Sequence, residues 1–267
     1  MEVLHYRFDP ELRWLGIVPI ADIHVGDPAF REDMFTAALR WIDANRDWVR
    51  IVLNGDVLNA ATKRSKSDVN TSRMSPQEEL DWAVETLYPF RDLILCVNSG
   101  NHEERISRDV GIDVSKELAE RLGVPYSGSG ALLVLNVGKN RHSKPESYTV
   151  YVTHGFGGGR RVGSKANNLE MVPLAVEGAD LYIWGHVHQA IYFANRTYRA
   201  DARGRKALDR HRHHIISCSF LDYGYAERLG LVPSPFVLPV ALLCGVERGV
   251  AVVTAELGVL DRLPVTV

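Results

Sequence analysis

The strongest constraint on the fold is a series of five short polar segments, each of which directly follows an apolar run. In chain order they are Asp22-Ile23-His24, Gly55-Asp56, Gly100-Asn101-His102-Glu103, His154-Gly155 and Gly185-His186-Val187-His188. An apolar run that ends in glycine and polar residues is typical of a buried strand and the loop after it. In α/β folds, active sites form in the loops at the carboxyl ends of strands. The pattern therefore predicts buried strands whose ends carry a shared site.

Strands and helices alternate in the first half of the chain. Apolar runs predict the strands, and apolar residues at helical spacing predict the helices. The predicted strands are Leu15–Ile23, Arg50–Leu53 and Leu93–Asn98, and the predicted helices are Phe30–Asn45, Ser75–Tyr88 and Val114–Leu122. Ser75 is the expected N-cap of its helix, with Glu78 placed for a capping box.

The second half of the chain is richer in strands. Leu132–Val137 and Tyr148–Thr153 are expected to pair across a polar connection. Further strands are predicted at Leu181–Trp184, Ile191–Tyr198, His214–Ser217, Val237–Leu243 and Val250–Ala255. Two packed sheets with helices outside would bury this pattern. Because no linker is evident, we expect a single α/β domain over residues 1–267.

The composition argues against several functional classes. The formal net charge of −2 does not favour polyanion binding by the molecule as a whole. The three cysteines, Cys96, Cys218 and Cys244, have neither metal-site spacing nor a disulfide framework. The N-terminus lacks the apolar core of a signal peptide, and the longest apolar stretch, Phe236–Val246, is too short to span a bilayer. We therefore expect a soluble, cytoplasmic protein with no membrane partner.

The polar segments carry the residue types of a metal site without thiolates. In an extended chain residues i and i+2 point to the same side, so Asp22 and His24 can converge on one ion. His186 and His188 can do the same, or each can take one of two neighbouring ions. The candidate ligands are Asp22, His24, Asp56, Asn101, His154, His186 and His188. Seven ligands exceed one tetrahedral site and fit two divalent ions about 3.5–4 Å apart.

The chemistry of the ligands limits the choice of metal, and the charge of the site limits the class of substrate. Imidazole, carboxylate and amide ligands suit manganese, which we expect first, or iron, nickel, zinc or cobalt. Two divalent ions outweigh the negative charges of Asp22, Asp56 and a bridging hydroxide, so the site stays positive and favours phosphate oxygens. Because Asn101 is neutral, it leaves its ion a stronger Lewis acid than a carboxylate would.

The ordered motifs from Asp22 to His188 resemble those of the calcineurin-like metallophosphoesterase superfamily. The resemblance implies a four-layer αββα sandwich in which helices flank two mixed β-sheets. It implies one ligand set for each ion: Asp22, His24 and His188 for the first, and Asn101, His154 and His186 for the second. It also implies that Asp56 bridges the ions, that a metal-bridging hydroxide is the nucleophile, and that His102 is not a ligand but faces the substrate.

Differences from the motifs of particular subgroups indicate which branch of the superfamily the chain resembles most. Asn59 stands three residues after Asp56, where purple acid phosphatases have a tyrosine and protein Ser/Thr phosphatases an aspartate. The paired His186-x-His188 is more similar to the phosphodiesterase and nuclease-like branches, so we favour a phosphodiester substrate over a phosphomonoester. The segments His154–Lys165 and Ser219–Glu227 also resemble bacterial and phage-type members.

Two arginines are candidates for substrate contacts. Arg105 follows His102 by three residues, and Arg160 lies in the glycine-rich loop after His154. Arginine binds phosphate through two parallel hydrogen bonds, and backbone N–H groups of a glycine-rich loop form an anion-binding concavity.

Residues 196–214 form a basic segment with seven Lys or Arg and two Asp. Such a segment can bind nucleic acid. It holds a single aromatic residue for base stacking, however, so a solvated hairpin is the preferred interpretation. We expect its histidines, His211, His213 and His214, to lie at the surface rather than to bind a metal.

The sequence thus predicts a dinuclear-metal-dependent phosphoester hydrolase. One alternative is a nuclease acting on DNA, which salt-sensitive activity on single-stranded DNA would favour. Another is a catalytically idle metal-binding scaffold, which missing ligands would indicate. All seven candidate ligands and His102 are present here, which favours the enzyme.

Overall fold

Two six-stranded β-sheets form the centre of the computed structural model. The structure describes residues 1–63, 65, 69–201, 203–222, 224, 227, 230 and 234–257. The strands are β1 (Glu2–Arg7), β2 (Trp14–Ile20), β3 (Val49–Asn54), β4 (Ile94–Asn98), β5 (Tyr126–Gly128), β6 (Ala131–Val137), β7 (Glu146–Val152), β8 (Leu181–Trp184), β9 (Ile191–Ala200), β10 (Ala207–Ile216), β11 (Val237–Cys244) and β12 (Val250–Glu256). The α-helices are α1 (Glu32–Ala44), α2 (Pro76–Leu87), α3 (Asn101–Val110), α4 (Val114–Leu122) and α5 (Val162–Met171).

Both sheets are mixed. The first sheet has the order β12-β11-β2-β3-β4-β5, in which β2 to β5 are parallel and β11 is antiparallel to both of its neighbours. The second sheet has the order β1-β6-β7-β8-β10-β9. In it β7, β8 and β10 run parallel, whereas β6 pairs antiparallel with β7 and β9 pairs antiparallel with β10.

Successive side chains along a strand point to opposite faces of the sheet and therefore belong to different apolar layers. In β2, Leu15 and Ile17 pack between the sheets, whereas Val18 faces the helices of the first sheet. In β8, Ile183 packs between the sheets, and Trp184 faces α5 on the other side. Because both faces of these strands are buried, they read as continuous apolar runs. The layers are thus helix, sheet, sheet and helix, which confirms the expected αββα sandwich.

The predicted strands and helices are all present, although β10 begins at Ala207 rather than at His214. Four elements, β1, β5, α3 and α5, were not predicted from the sequence. The largest local difference is α3, because Asn101 and His102 begin a helix rather than lie in an irregular loop. The assignment of the whole chain to one domain remains a prediction. None of the helices in the described part of the chain is long and apolar enough to cross a bilayer.

The basic segment forms the β9–β10 hairpin, as expected, but two of its three histidines are buried. His211 is exposed, whereas His213 and His214 are 8% and 0% exposed. The surface position expected for His213 and His214 is therefore wrong. His214 stacks between the rings of Phe193 and Tyr182, with centroids 4.5 and 5.2 Å away. Burial, followed by the neighbouring His213 and Arg212, lowers the pKa of His214 to about 4, so that it packs as a neutral aromatic ring.

Candidate metal centre

The five polar segments converge because the strands before them end at the same edge. β2, β3 and β4 are parallel in the first sheet, and β7 and β8 are parallel in the second. The loops after these strands therefore meet where the two sheets lie against each other. All seven candidate ligands lie in these loops or, for Asn101, in the first turn of α3.

A first cluster contains Asp22, His24, Asp56 and His188, whose donor atoms lie within 4.8 Å of one another. His188 Nε2 is 3.3 Å from Asp22 Oδ1 and 3.2 Å from His24 Nε2. Burial of the first three side chains is almost complete, and His188 is partly exposed. Of these four side chains, His188 is therefore the most exposed to solvent.

A second cluster contains Asp56, His154 and His186, again with donor atoms within 4.8 Å of one another. His154 Nε2 lies 3.3 Å from Asp56 Oδ2 and 3.2 Å from Asn101 Oδ1. Asp56 belongs to both clusters, so its carboxylate lies between the two groups of ligands.

The backbone at the centre is strained. Seven described non-glycine residues have positive φ, and five of them are candidate ligands: Asp22 (52°), His24 (52°), Asp56 (50°), His186 (69°) and His188 (54°). Positive φ is unfavourable for residues with a Cβ and persists where the surroundings over-determine it, typically at functional sites. Here Asp22 N donates to Gly55 O at 3.1 Å, and His24 N donates to Asp56 O at 3.0 Å.

Hydrogen bonds from the loops orient the imidazoles. His154 Nδ1 donates to Asn54 O at 2.8 Å, which turns Nε2 toward Asp56 and Asn101. Burial opposes a charged ring, but Asp56 and the Asn54 carbonyl outweigh it and raise the pKa of His154 to about 10. These contacts favour a proton on His154 Nε2, facing Asp56 and Asn101, and a metal cation bound there would replace that proton.

Other atoms of the clusters also suit a cation. Burial lowers the pKa of His24 well below its usual value and lowers that of His186, which keeps both rings neutral, as metal ligation requires. Asp22 Oδ1 and His186 Nδ1 are buried without a hydrogen-bond partner. Buried polar atoms are rarely left unpaired, and here each cluster contains at least one residue with such an atom, of a type that suits a divalent transition ion. The donor set therefore fits two such ions.

Glu103 supports this site, although the sequence analysis gave it no role. Its buried carboxylate accepts hydrogen bonds from Asp56 N (3.0 Å), Leu58 N (2.9 Å) and Gly100 N (3.1 Å). Burial and the charge of Asp56 raise its pKa to about 7. The available signal was its position three residues after Gly100, where a glutamate often caps the start of a helix.

His102 lies beside the ligands and is held by the backbone. Its Nδ1 donates to Asn59 O at 2.8 Å, and its Nε2 is 3.9 Å from Asp56 Oδ2. Its backbone N donates to Asp56 Oδ1 at 2.8 Å. Burial lowers the pKa of His102, and the Arg105 guanidinium lowers it further, against the effect of Asp56.

The two candidate substrate contacts differ in their placement. Arg105 is half-buried in α3, near enough to act on His102, whereas Arg160 is exposed in the glycine-rich loop. Among the described residues, no hydrogen bond or ion pair joins Arg160 to the candidate ligands. Residues 223, 225 and 226 of the segment Ser219–Glu227 lie outside the described part of the chain.

Comparison with known proteins gives a family match over much of the chain. The family model described as calcineurin-like phosphoesterase matches residues 16–190, a range that includes both clusters and His102. A search of curated proteins found no match.

Three solved structures to which the chain is similar have low sequence identity to it. The calcineurin-like phosphoesterase YfkN from Bacillus subtilis is 11% identical, with 93% of this chain and 92% of that chain covered and a TM-score of 0.47. A Vps29 mutant from Entamoeba histolytica is 12% identical, with 91% and 99% covered and a TM-score of 0.38. A predicted phosphoesterase from Streptococcus pneumoniae is 12% identical, with 91% and 98% covered and a TM-score of 0.35.

Gly100→Ala should weaken binding of Mn²⁺ by about 10–100-fold, the usual effect of disturbed ligand support. A methyl group at Gly100 would overlap the backbone N and carboxylate of Asp56. Gly163→Ala is the matched control, because its methyl group meets no atom within 4 Å. Titration calorimetry on chelator-treated protein measures both. Equal Mn²⁺ affinity in the two variants would contradict the close packing described here.

Proposed function

The chain belongs to the calcineurin-like phosphoesterase family, and on this premise we propose that it is a phosphoester hydrolase that uses two divalent cations. The observation that carries the proposal is the position of Asp56, whose carboxylate belongs to both donor clusters. Two ions that share a carboxylate are the usual arrangement of two-metal hydrolases.

The proposed ligands follow the two clusters. Asp22, His24 and His188 would hold one ion, and Asn101, His154 and His186 the other, with Asp56 between them. Manganese is our first choice of metal, because the donors are oxygen and nitrogen without thiolate. When bound, the ions would supply a nucleophile from water at neutral pH and stabilise charge on the phosphate oxygens.

The remaining chemistry belongs to His102. With Nδ1 hydrogen-bonded to the Asn59 carbonyl, the Nε2 atom is the one available to the substrate. We propose that Nε2 donates a proton or hydrogen bond to the leaving oxygen. Burial lowers the pKa of His102 and so favours the neutral ring. An anionic phosphoester bound in the site would oppose this effect and favour the protonated form. Arg105 would add positive charge on the same side.

Asp56→Ala should disrupt both metal sites, because it removes the shared carboxylate and leaves the backbone N–H of His102 without its acceptor. Elemental analysis should give about two ions per chain for the wild type and fewer for the variant, with turnover lost. Asp113→Ala, which removes the helix cap of α4 away from the site, serves as control. A variant at position 56 that keeps both ions and normal turnover would rule out the bridging role.

His102→Ala should keep its metal content and lose about 10²–10⁴ in rate, the usual worth of a positioned general acid. The loss should be largest for alkyl esters and smaller for nitrophenyl esters, because nitrophenolate departs without a proton. Turnover plotted against leaving-group pKa, for wild type and variant, measures this. Parallel lines would show that His102 only anchors the Asn59 loop.

One observation favours nucleic acid as the phosphodiester substrate. The cross-strand register places Arg199, Arg210 and Arg212 on the same face of the β9–β10 hairpin. This is the face from which Asn195 contacts Glu170 of α5. Within the described part of the chain, no carboxylate forms an ion pair with these three side chains. Cations at this spacing on a two-stranded ribbon suit a phosphate backbone. The nuclease is therefore the second candidate function.

Replacing Arg199, Arg210 and Arg212 by Gln should weaken binding of single-stranded DNA and reduce the slope of log K against log salt by about 2. A variant with Arg13, Arg91 and Lys116 replaced by Gln loses the same charge elsewhere and is the control. Fluorescence anisotropy at several salt concentrations measures both. Equal slopes would remove the nuclease candidate and leave hydrolysis of small phosphodiesters untouched.

A further inference from the structure

Lys165 is a buried cation that the proposed chemistry does not use. It lies in α5 and is only 5% exposed. Its ammonium donates to Val187 O at 3.1 Å and to Gln189 Oε1 at 3.0 Å. Among the described residues, no carboxylate forms an ion pair with it. A buried ammonium without a counter-charge is costly, so its retention calls for a specific role.

The carbonyl that Lys165 holds lies between two candidate ligands, His186 and His188. Val187 N donates back to Gly185 O at 2.8 Å, and His186, at the centre of this turn, has a φ of 69°. This is a γ-turn with positive φ, which is rare and strained. The next ligand, His188, has a φ of 54°, so the strain continues through the segment.

The segment is held from two sides. On the inner side, His186 N donates to Asp22 Oδ2 at 2.8 Å, and Gly185 N donates to His154 O at 3.0 Å. On the outer side, the contact that the structure gives to the Val187 carbonyl comes from Lys165. Strained backbone persists only where its surroundings over-determine it. Lys165 supplies that constraint for the part of the segment that carries one ligand of each cluster.

We infer that Lys165 is a positioning residue for both metal sites: it fixes the Val187 carbonyl and thereby aims His186 and His188 at separate ions. This inference rests on the proposed function, because it assumes that the two clusters bind metal. The competing explanation is that Lys165 only attaches α5 to the second sheet, as its apolar neighbour Leu169 does.

Metal affinity separates these explanations. Lys165→Met keeps an unbranched apolar side chain and removes the ammonium with its hydrogen bonds, and we expect Mn²⁺ affinity to fall about 10–100-fold, as for other residues that orient ligands. Leu169→Ala should lower the thermal unfolding midpoint of the chelator-treated protein but leave Mn²⁺ affinity unchanged. Titration calorimetry and thermal unfolding are measured on the same preparations, and saturating Mn²⁺ should restore much of the turnover of Lys165→Met.

Each outcome has a defined meaning. Wild-type Mn²⁺ affinity in Lys165→Met would overturn the inference, as would equal losses of affinity in Lys165→Met and Leu169→Ala. If Lys165→Met does not fold, Lys165→Gln replaces it, because glutamine stays polar but is too short to keep the same contact. Absence of Mn²⁺ binding by the wild type would instead count against the proposed function.

Discussion

The Asp56 carboxylate is the constraint on which the rest of the site depends. It is 1% exposed and lies at the end of β3, within reach of ligands from both sheets. Burial raises its pKa, but His154 and His102 outweigh this and hold the pKa well below its usual range. A buried carboxylate costs several kcal/mol unless positive charge is close to it. Metal cations held by the donors around Asp56 would supply that charge.

The fold around this carboxylate accepts strain that an ordinary turn would avoid. Positive φ at a residue with a Cβ costs about 1–3 kcal/mol, and five candidate ligands share it. The large apolar layer between the sheets, together with hydrogen bonds such as that from Asp22 N to Gly55 O, holds these loops in place. The strands therefore contribute the apolar packing that stabilises the fold. The unfavourable backbone conformations of the candidate ligands lie in the loops at the strand ends.

The strands, and the convergence of the candidate ligands at their ends, could be predicted because they depend on local pattern. A run such as Leu181–Trp184 is apolar on both faces, and the ligands follow such runs directly. The polar helix α3 was missed because only Glu103 and Ile106 of its residues are buried, which leaves little apolar periodicity. The burial of His214 was missed for a different reason: its ring is covered by Phe193 and Tyr182 from other strands, and that contact exists only after the sheet forms.

Residues that support the ligands were harder to find, because their function depends on distance in space. Glu103 acts on backbone N–H groups of the β3 loop, and Lys165 acts on a carbonyl 22 residues later. The capping position of Glu103 indicates only its contact with Gly100. Its contacts with the β3 loop, and the contact of Lys165 with Val187, leave no motif, since the partner is a main-chain atom that any residue could provide.

The candidate ligands come from both sheets. Asp22, His24 and Asp56 come from the first sheet, whereas His154, His186 and His188 come from the second. Each cluster thus contains donors from both sheets, so a bound ion would link the two halves of the sandwich. An ion that binds the folded state and not the unfolded chain stabilises the fold by a free energy that rises with the logarithm of its concentration divided by its Kd. The packing of the two sheets and any affinity for metal would therefore be coupled, because a shift of one sheet against the other would change the distances between the candidate ligands of both clusters.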